Sequence, residues 1–237
     1  MDLQQRYDRL KMGERGAILS IAAYAVLSAV KLIAAFWTGS EALKADGWNN
    51  ATDIVASVAV LIGLKLARKP ADGDHPYGHW KSEGIASLVA SFVMTVVGLQ
   101  VLFEAARKIF AGGYDSPDAA AAWTGALCAA VMYGVYRHNL SLARKTNSQA
   151  VMSAAKDNLS DVLVSAGAVV GIVGAQLRFP WLDPLAAVAV GILICRTAFG
   201  IFREASLHLS DGFEEETIRR FKQVVLSVEG VAGVRKI

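Results

Sequence analysis

The chain has 237 residues, 54% of them hydrophobic, with a mean hydropathy of +0.39 and a formal net charge of +3. That is too apolar for an ordinary soluble domain of this size and favours an integral membrane protein. The small net charge gives no reason to expect a nucleic-acid partner.

The first 14 residues are charged and polar and lack the short apolar core and cleavage site of a signal peptide. Six segments are then long enough to cross a bilayer, which takes about 20 residues: 17–37, 42–66, 84–110, 119–136, 150–176 and 184–202. The expected fold is an all-α membrane protein of six transmembrane helices. Lys and Arg crowd the connections at one end: Arg6, Arg9, Lys11 and Arg15, then Lys65, Arg68, Lys69 and Lys81, then Arg137, Arg144 and Lys145. That end is expected to be cytoplasmic, with both termini inside and the protein in the plasma membrane. Cys128 and Cys195 lie in apolar segments with no metal-ligand spacing and read as free buried thiols.

Span one carries one charge, Lys31, which can snorkel or pair and is read as structural. A tight turn at 38–41 leads into span two, where Asp46, Asn49, Asn50, Asp53 and Ser57 share a face. The connection at 68–82 is broken by Pro and Gly and holds Asp72, Asp74, His75 and His79. Span three has a stripe of small residues, Gly84, Ser87, Ser91, Thr95 and Gly98, which should pack closely on another span. Gln100 and Glu104 near its far end read as interfacial. Span four is bland and is followed by a basic connection at 138–148. Span five carries Asp157, Asp161 and Ser165 on one face. Beyond residue 210, an amphipathic helix is expected at 214–225, then a turn and the start of a strand at 228–237. The expected domains are a transport unit at 1–209 and the incomplete start of a cytosolic C-terminal domain at 210–237. A charge contact between Lys81 and Asp211 could tie the two together.

Two pairs of oxygen-bearing side chains stand four residues apart inside apolar segments: Asn49 with Asp53, and Asp157 with Asp161. On a helix each pair shares a face. Left unpaired in a bilayer, Asp53, Asp157 and Asp161 would together cost on the order of 8–10 kcal/mol on insertion scales. Pairing with Lys31 or Lys156, or protonation, could offset part of this. Four oxygen groups at similar depth point instead to a divalent metal ion. All four histidines, His75, His79, His138 and His208, fall in loops or at helix ends. A mid-membrane site of carboxylates and amide oxygen suits Mn²⁺ better than Zn²⁺. Asp46 reads as a second-shell or entrance residue. Asp72, His75 and His79 could form a second metal site at the cytoplasmic mouth. The alternative there is that Asp74 caps span three and the histidines are interfacial.

The stretches ADGWNNATDIVAS, DHPYGHWKSE and KDNLSDVLVSAG, together with the six-span layout, resemble the cation diffusion facilitator family over nearly the whole chain. In that family the first residue of each pair is often His or Asp, and zinc transporters commonly carry His. Asn49 and Asp157 stand there in this chain, so the resemblance is to the manganese-exporting branch. It implies a homodimer, exchange of metal for protons across the membrane, and a ferredoxin-like cytosolic domain after the last span. Zn²⁺, Fe²⁺, Co²⁺ and Cd²⁺ stay open as cargo, and a metal sensor without transport is a further class. An enzyme is not expected: GWNNATD and DNLSD do not match the motif of an intramembrane aspartyl protease, and no HExxH pattern is present.

Overall fold

The computed structural model describes residues 3–67, 69–76, 78–79, 81–112, 116–146, 149–210, 215–228, 230–231 and 233–234. Its elements are all helical: α1 (Leu3–Thr38), α2 (Glu41–Ala67), α3 (Ser82–Ala111), α4 (Ala119–Thr146), α5 (Gln149–Gln176), α6 (Leu182–Leu209) and the shorter α7 (Glu215–Leu226). Even the 27-residue α2 is about 40 Å long at helical rise, enough for a hydrocarbon core of about 30 Å. Five helices hold stretches both long and apolar enough to cross a membrane: Ile18–Thr38, Gly84–Ala111, Ala119–Lys145, Ala154–Gln176 and Leu182–Leu207. The other two helices are α2, which carries Lys44, Asp46, Asn49, Asn50 and Asp53 in its first half, and the 12-residue α7. This is a multi-pass membrane protein.

Two packing units are visible. Helices α1, α2, α4 and α5 form a four-helix cluster, and α3 lies along α6 as a pair that docks on α2 and α5. The outward faces are apolar, as lipid requires: Phe36, Phe92, Val96, Phe103 and Val170 are all exposed. At the end where α1 meets α2, here the turn end, Trp37, Phe110, Trp123 and Trp181 are also exposed, an arrangement suited to a membrane–water boundary. The opposite end, which carries residues 69–81 and the start of α5, is the loop end.

Small residues set the close approaches. A Cβ at Gly98 would run into Cys195, and one at Gly191 into Leu102, so α3 and α6 approach at two levels. The small-residue stripe of span three does face another span, and that span is α6. Between α1 and α2, Gly47 lies under Leu32; between α4 and α5, Gly125 lies under Val169. Without a hydrophobic force between helices in lipid, such contacts supply much of the association.

Several boundaries differ from expectation. Residues 138–146 are not a loop: α4 continues to Thr146, with Arg144 and Lys145 in its last turn. Cations are favoured at a helix C-terminus, so the charges mark where the helix leaves the apolar layer rather than where it ends. His138 therefore sits on α4, exposed. Asp74 does not cap α3, which starts at Ser82 after Lys81 with no side-chain cap. The helix expected at 214–225 forms at Glu215–Leu226. No strand is present among the described residues of 228–237. Asp211 lies outside the described residues; Lys81 Nζ donates to the Leu209 carbonyl at 3.3 Å.

The turn between α1 and α2 is only Gly39–Ser40. Gly39 has φ +69°, which a glycine adopts without strain. Ser40 Oγ accepts from the Leu43 amide at 3.1 Å and donates to Asp183 Oδ1 at 2.6 Å. Asp183, in the first turn of α6, also accepts the Glu41 amide at 2.8 Å. A buried carboxylate thus sits on the positive end of α2 and pins it to α6. Asp183→Ala should strip these free amides of their acceptor and cost about 1–3 kcal/mol. Thermal denaturation of the detergent-solubilised protein would show a lowered midpoint, and Ser40→Ala a smaller drop.

Candidate metal site

Helix α2 contributes Asn49 and Asp53, and α5 contributes Asp157 and Asp161. The two helices touch, and all four side chains line one cavity of about 750 Å³ between α1, α2, α3, α5 and α6. Asn49 Nδ2 donates to Asp161 Oδ1 at 3.1 Å and to Asp53 Oδ2 at 3.3 Å. The carboxamide therefore sits between two carboxylates from different helices. Asn49 and Asp161 are 8% and 7% exposed, whereas Asp157 is open to the cavity. Each i,i+4 pair faces the cavity; hydrogen bonds join Asn49, Asp53 and Asp161, and Asp157 lines the same space.

Helix α1 supplies what the sequence reading left out. Tyr24 Oη lies 2.7 Å from Asp161 Oδ2 and 2.9 Å from Asn158 Oδ1, so its one proton serves two acceptors. Ser20 accepts from Asn139 Nδ2 at 2.8 Å and from Asn158 Nδ2 at 3.2 Å. Asp161 is thus held at both oxygens, by Asn49 on α2 and by Tyr24 on α1. The signal was present in the sequence: Ser20, Tyr24, Ser28 and Lys31 recur at helical spacing on one face of α1. Hydroxyls at that spacing in an apolar helix mark a buried polar seam.

Lys31 does not snorkel. It is 1% exposed and lies 2.9 Å from Asp46, itself 0% exposed. Its other two donors reach Asn50 Oδ1 at 2.7 Å and Ser165 Oγ at 2.9 Å. Ser165 Oγ also donates to Asp46 Oδ1 at 3.1 Å. The three ammonium protons are all used, as a buried cation requires. Asp46 is therefore an ion-pair partner of Lys31. It is not among the residues lining the cavity.

The chemistry available is that of hard oxygen donors. Asp53, Asp157 and Asp161 offer carboxylate oxygens; Asn49 offers its carbonyl oxygen once the amide turns over. No thiol and no imidazole is among the described residues lining the cavity; its sulfur is the thioether of Met94, on the wall that α3 supplies. Such a set suits Mn²⁺ or Mg²⁺ more than a softer ion.

A second cluster stands at the loop end. Asp72, His75 and His79 place one ligand atom each within 4.8 Å of one another. Asp72 Oδ1 accepts the His75 amide at 2.9 Å and lies 3.1 Å from His75 Nδ1; His79 Nε2 is 3.5 Å from Oδ2. The imidazole centroids are 4.1 Å apart. Lys69 Nζ occupies the same carboxylate at 2.7 Å. That hydrogen bond first, and the His75 contact second, hold the Asp72 carboxyl well below the usual carboxylate range. The three residues are together, as the sequence suggested, and a lysine is among them.

Comparison with known proteins gives a family and relatives. The family model for the cation efflux transmembrane domain matches residues 17–210. The chain is 54% identical over 233 residues to the manganese efflux system protein MneS of Bacillus subtilis (strain 168), covering 98% of this chain and 80% of that protein. It is 28% identical over 238 residues to the manganese efflux system protein MneP of the same organism, covering 97% and 80%. The magnetosome protein MamM of Magnetospirillum gryphiswaldense is 30% identical over 221 residues, covering 92% and 69%.

The loop cluster gives a pH prediction. A depressed Asp72 pKa favours the ordered loop above the ordinary carboxylate range, and that contribution fades as the pH falls through the lower, folded value. In Lys69→Ala the carboxyl should titrate at higher pH, so the loss begins sooner on acidification. Carboxyl-carbon NMR of aspartate-labelled protein measures this directly. Identical Asp72 titrations in both proteins would contradict it.

Proposed function

The chain belongs to the cation efflux, or cation diffusion facilitator, family of membrane metal transporters, and from that premise we propose that it exports Mn²⁺ from the cytoplasm in exchange for protons. The observation that carries the cargo is the oxygen-only set of Asn49, Asp53, Asp157 and Asp161 around one cavity. The names of the relatives MneS and MneP agree with it.

In this reading α2 is the sixth span, and its Asn49 and Asp53 belong to the transport site. The unit 1–209 carries transport, and 210–237 lies on the cytosolic side. The basic loop end faces the cytoplasm, with both termini inside and the protein in the plasma membrane as a homodimer. Cavity-lining residues such as Ser20, Ser57, Ala154 and Ile201 lie toward the loop end, which supports a site loaded from the cytoplasm.

The steps follow from charge. Facing inside, Asp53, Asp157 and Asp161 give up protons and take the ion, while Asn49 turns its carbonyl oxygen toward it. Loading offsets negative charge that is otherwise costly at mid-membrane, and so favours the change of access. Facing outside, protons return to the carboxylates and the ion leaves. Tyr24 orients Asp161 throughout. Asp72, His75 and His79 form an accessory site at the cytoplasmic mouth, where an arriving ion must displace Lys69 from Asp72.

Uptake into proteoliposomes under an imposed pH gradient tests the reading. Mn²⁺ flux should follow the gradient and vanish in Asp161→Ala. Zn²⁺ flux with Mn²⁺ ignored would overturn the cargo assignment; metal binding without flux would favour a sensor. Tyr24→Phe should bind Mn²⁺ about tenfold more weakly by calorimetry, in the range for loss of a group that orients a ligand.

A further inference from the structure

Toward the turn end the cavity stops at Val164, less than one turn past Asp161. On its turn-end side lies a dry polar layer: Lys31, Asp46, Asn50 and Ser165, each 1% exposed or less. Ser165 is one turn past Asp161 on α5, and Asp46 is one turn before Asn50 on α2. Beyond that layer comes a fully apolar one, in which Ala42, Leu43, Ala168 and Ile172 are packed together. An ion leaving toward the turn end must cross both.

A charged pair in such a place behaves unlike an apolar plug. Replacing a buried ion pair by apolar residues of similar volume is often neutral or stabilising. The charges therefore do little to make the closed state more stable. They matter in the open state, because charged walls hold water where apolar walls exclude it. Two atoms of the layer are also left without partners: Asp46 Oδ2, an acceptor, and Asn50 Nδ2, a donor. Each buried unpaired group costs on the order of 1–3 kcal/mol, which entering water relieves. The layer is closed and incompletely satisfied, and hydration is what completes it.

We propose that Lys31 and Asp46, with Asn50 and Ser165, form the gate on the turn-end side of the transport site: paired and dry while the site faces the loop end, hydrated when it faces the turn end. This rests on the transport reading above. Lys31 and Asp46 are positioning residues, since the ion is held by the four oxygen groups.

The test pits two variants against each other. In a background with Cys128→Ala and Cys195→Ala, Ile172→Cys places a reporter thiol in the apolar layer. A membrane-impermeant thiol reagent is added from the turn-end side of proteoliposomes. Asp46→Asn leaves a buried ammonium short of its counter-charge, so the dry state loses and labelling should quicken about tenfold, the size of one charge-assisted hydrogen bond. Lys31→Met with Asp46→Leu keeps the dry state and removes what holds water. Labelling should slow about tenfold and Mn²⁺ turnover should fall, with the KM for Mn²⁺ unchanged. Opposite signs support the gate. Unchanged labelling in both, or the same sign in both, overturns it, since residues that merely tie helices together would give one of those results. If the parent protein moves no Mn²⁺, the transport reading fails by itself, and the labelling contrast still decides the gate.

Discussion

A polar group inside a bilayer has no water to fall back on, so its partner must come from another helix. In this bundle α1 provides that partner again and again. Ser20, Tyr24 and Lys31 reach α2, α4 and α5, and each contact ends on a group that would otherwise be orphaned. The four-helix unit is joined by this seam. The α3–α6 pair relies on glycines that let backbones approach, as Gly47 and Gly125 also do within the four-helix unit. The four-helix unit adds to shape a set of hydrogen bonds whose partners must match.

The proposed transport site lies where the two kinds of packing meet. Asn49, Asp53 and Asp161 belong to the seam, but the wall opposite them, with Met94 and Leu193, comes from the pair. The carboxylates are held on one side by directional bonds and bordered on the other by an apolar surface. A site held rigidly on one flank can keep its ligand geometry while the opposite flank shifts. Toward the turn end the seam continues without the wall, and there the cavity stops.

Much of this was legible in the sequence. Acids at i,i+4 inside apolar segments are expensive enough to stand out, and Asp157 and Asp161 announced themselves. The small-residue stripe of α3 and the Asp72, His75 and His79 cluster were also readable, because spacing alone brings those residues close. What stayed hidden was pairing between distant segments. Ser20 and Tyr24 are ordinary in an apolar helix until α5 is set against them. Lys31 could be read as needing a partner, but nothing in its neighbourhood chose Asp46, and Asp46 was drawn instead toward Asp53 on its own helix. Asp183 falls just outside the span expected at 184–202, yet it caps α2, over 140 residues earlier. Helix ends were misjudged where charge was taken for termination, as at Arg144 and Lys145.

The placement of the Asn49 amide has a consequence for affinity. In the proposed site its nitrogen, between Asp53 and Asp161, stands as a neutral surrogate for the cargo. Binding is then an exchange: the ion must evict a donor already bonded to both carboxylates, and part of its attraction goes into undoing those bonds. On release the same bonds re-form and help expel it. Such a site trades tightness for turnover, and an aspartate at position 49, with no such donor, would grip harder and let go more slowly.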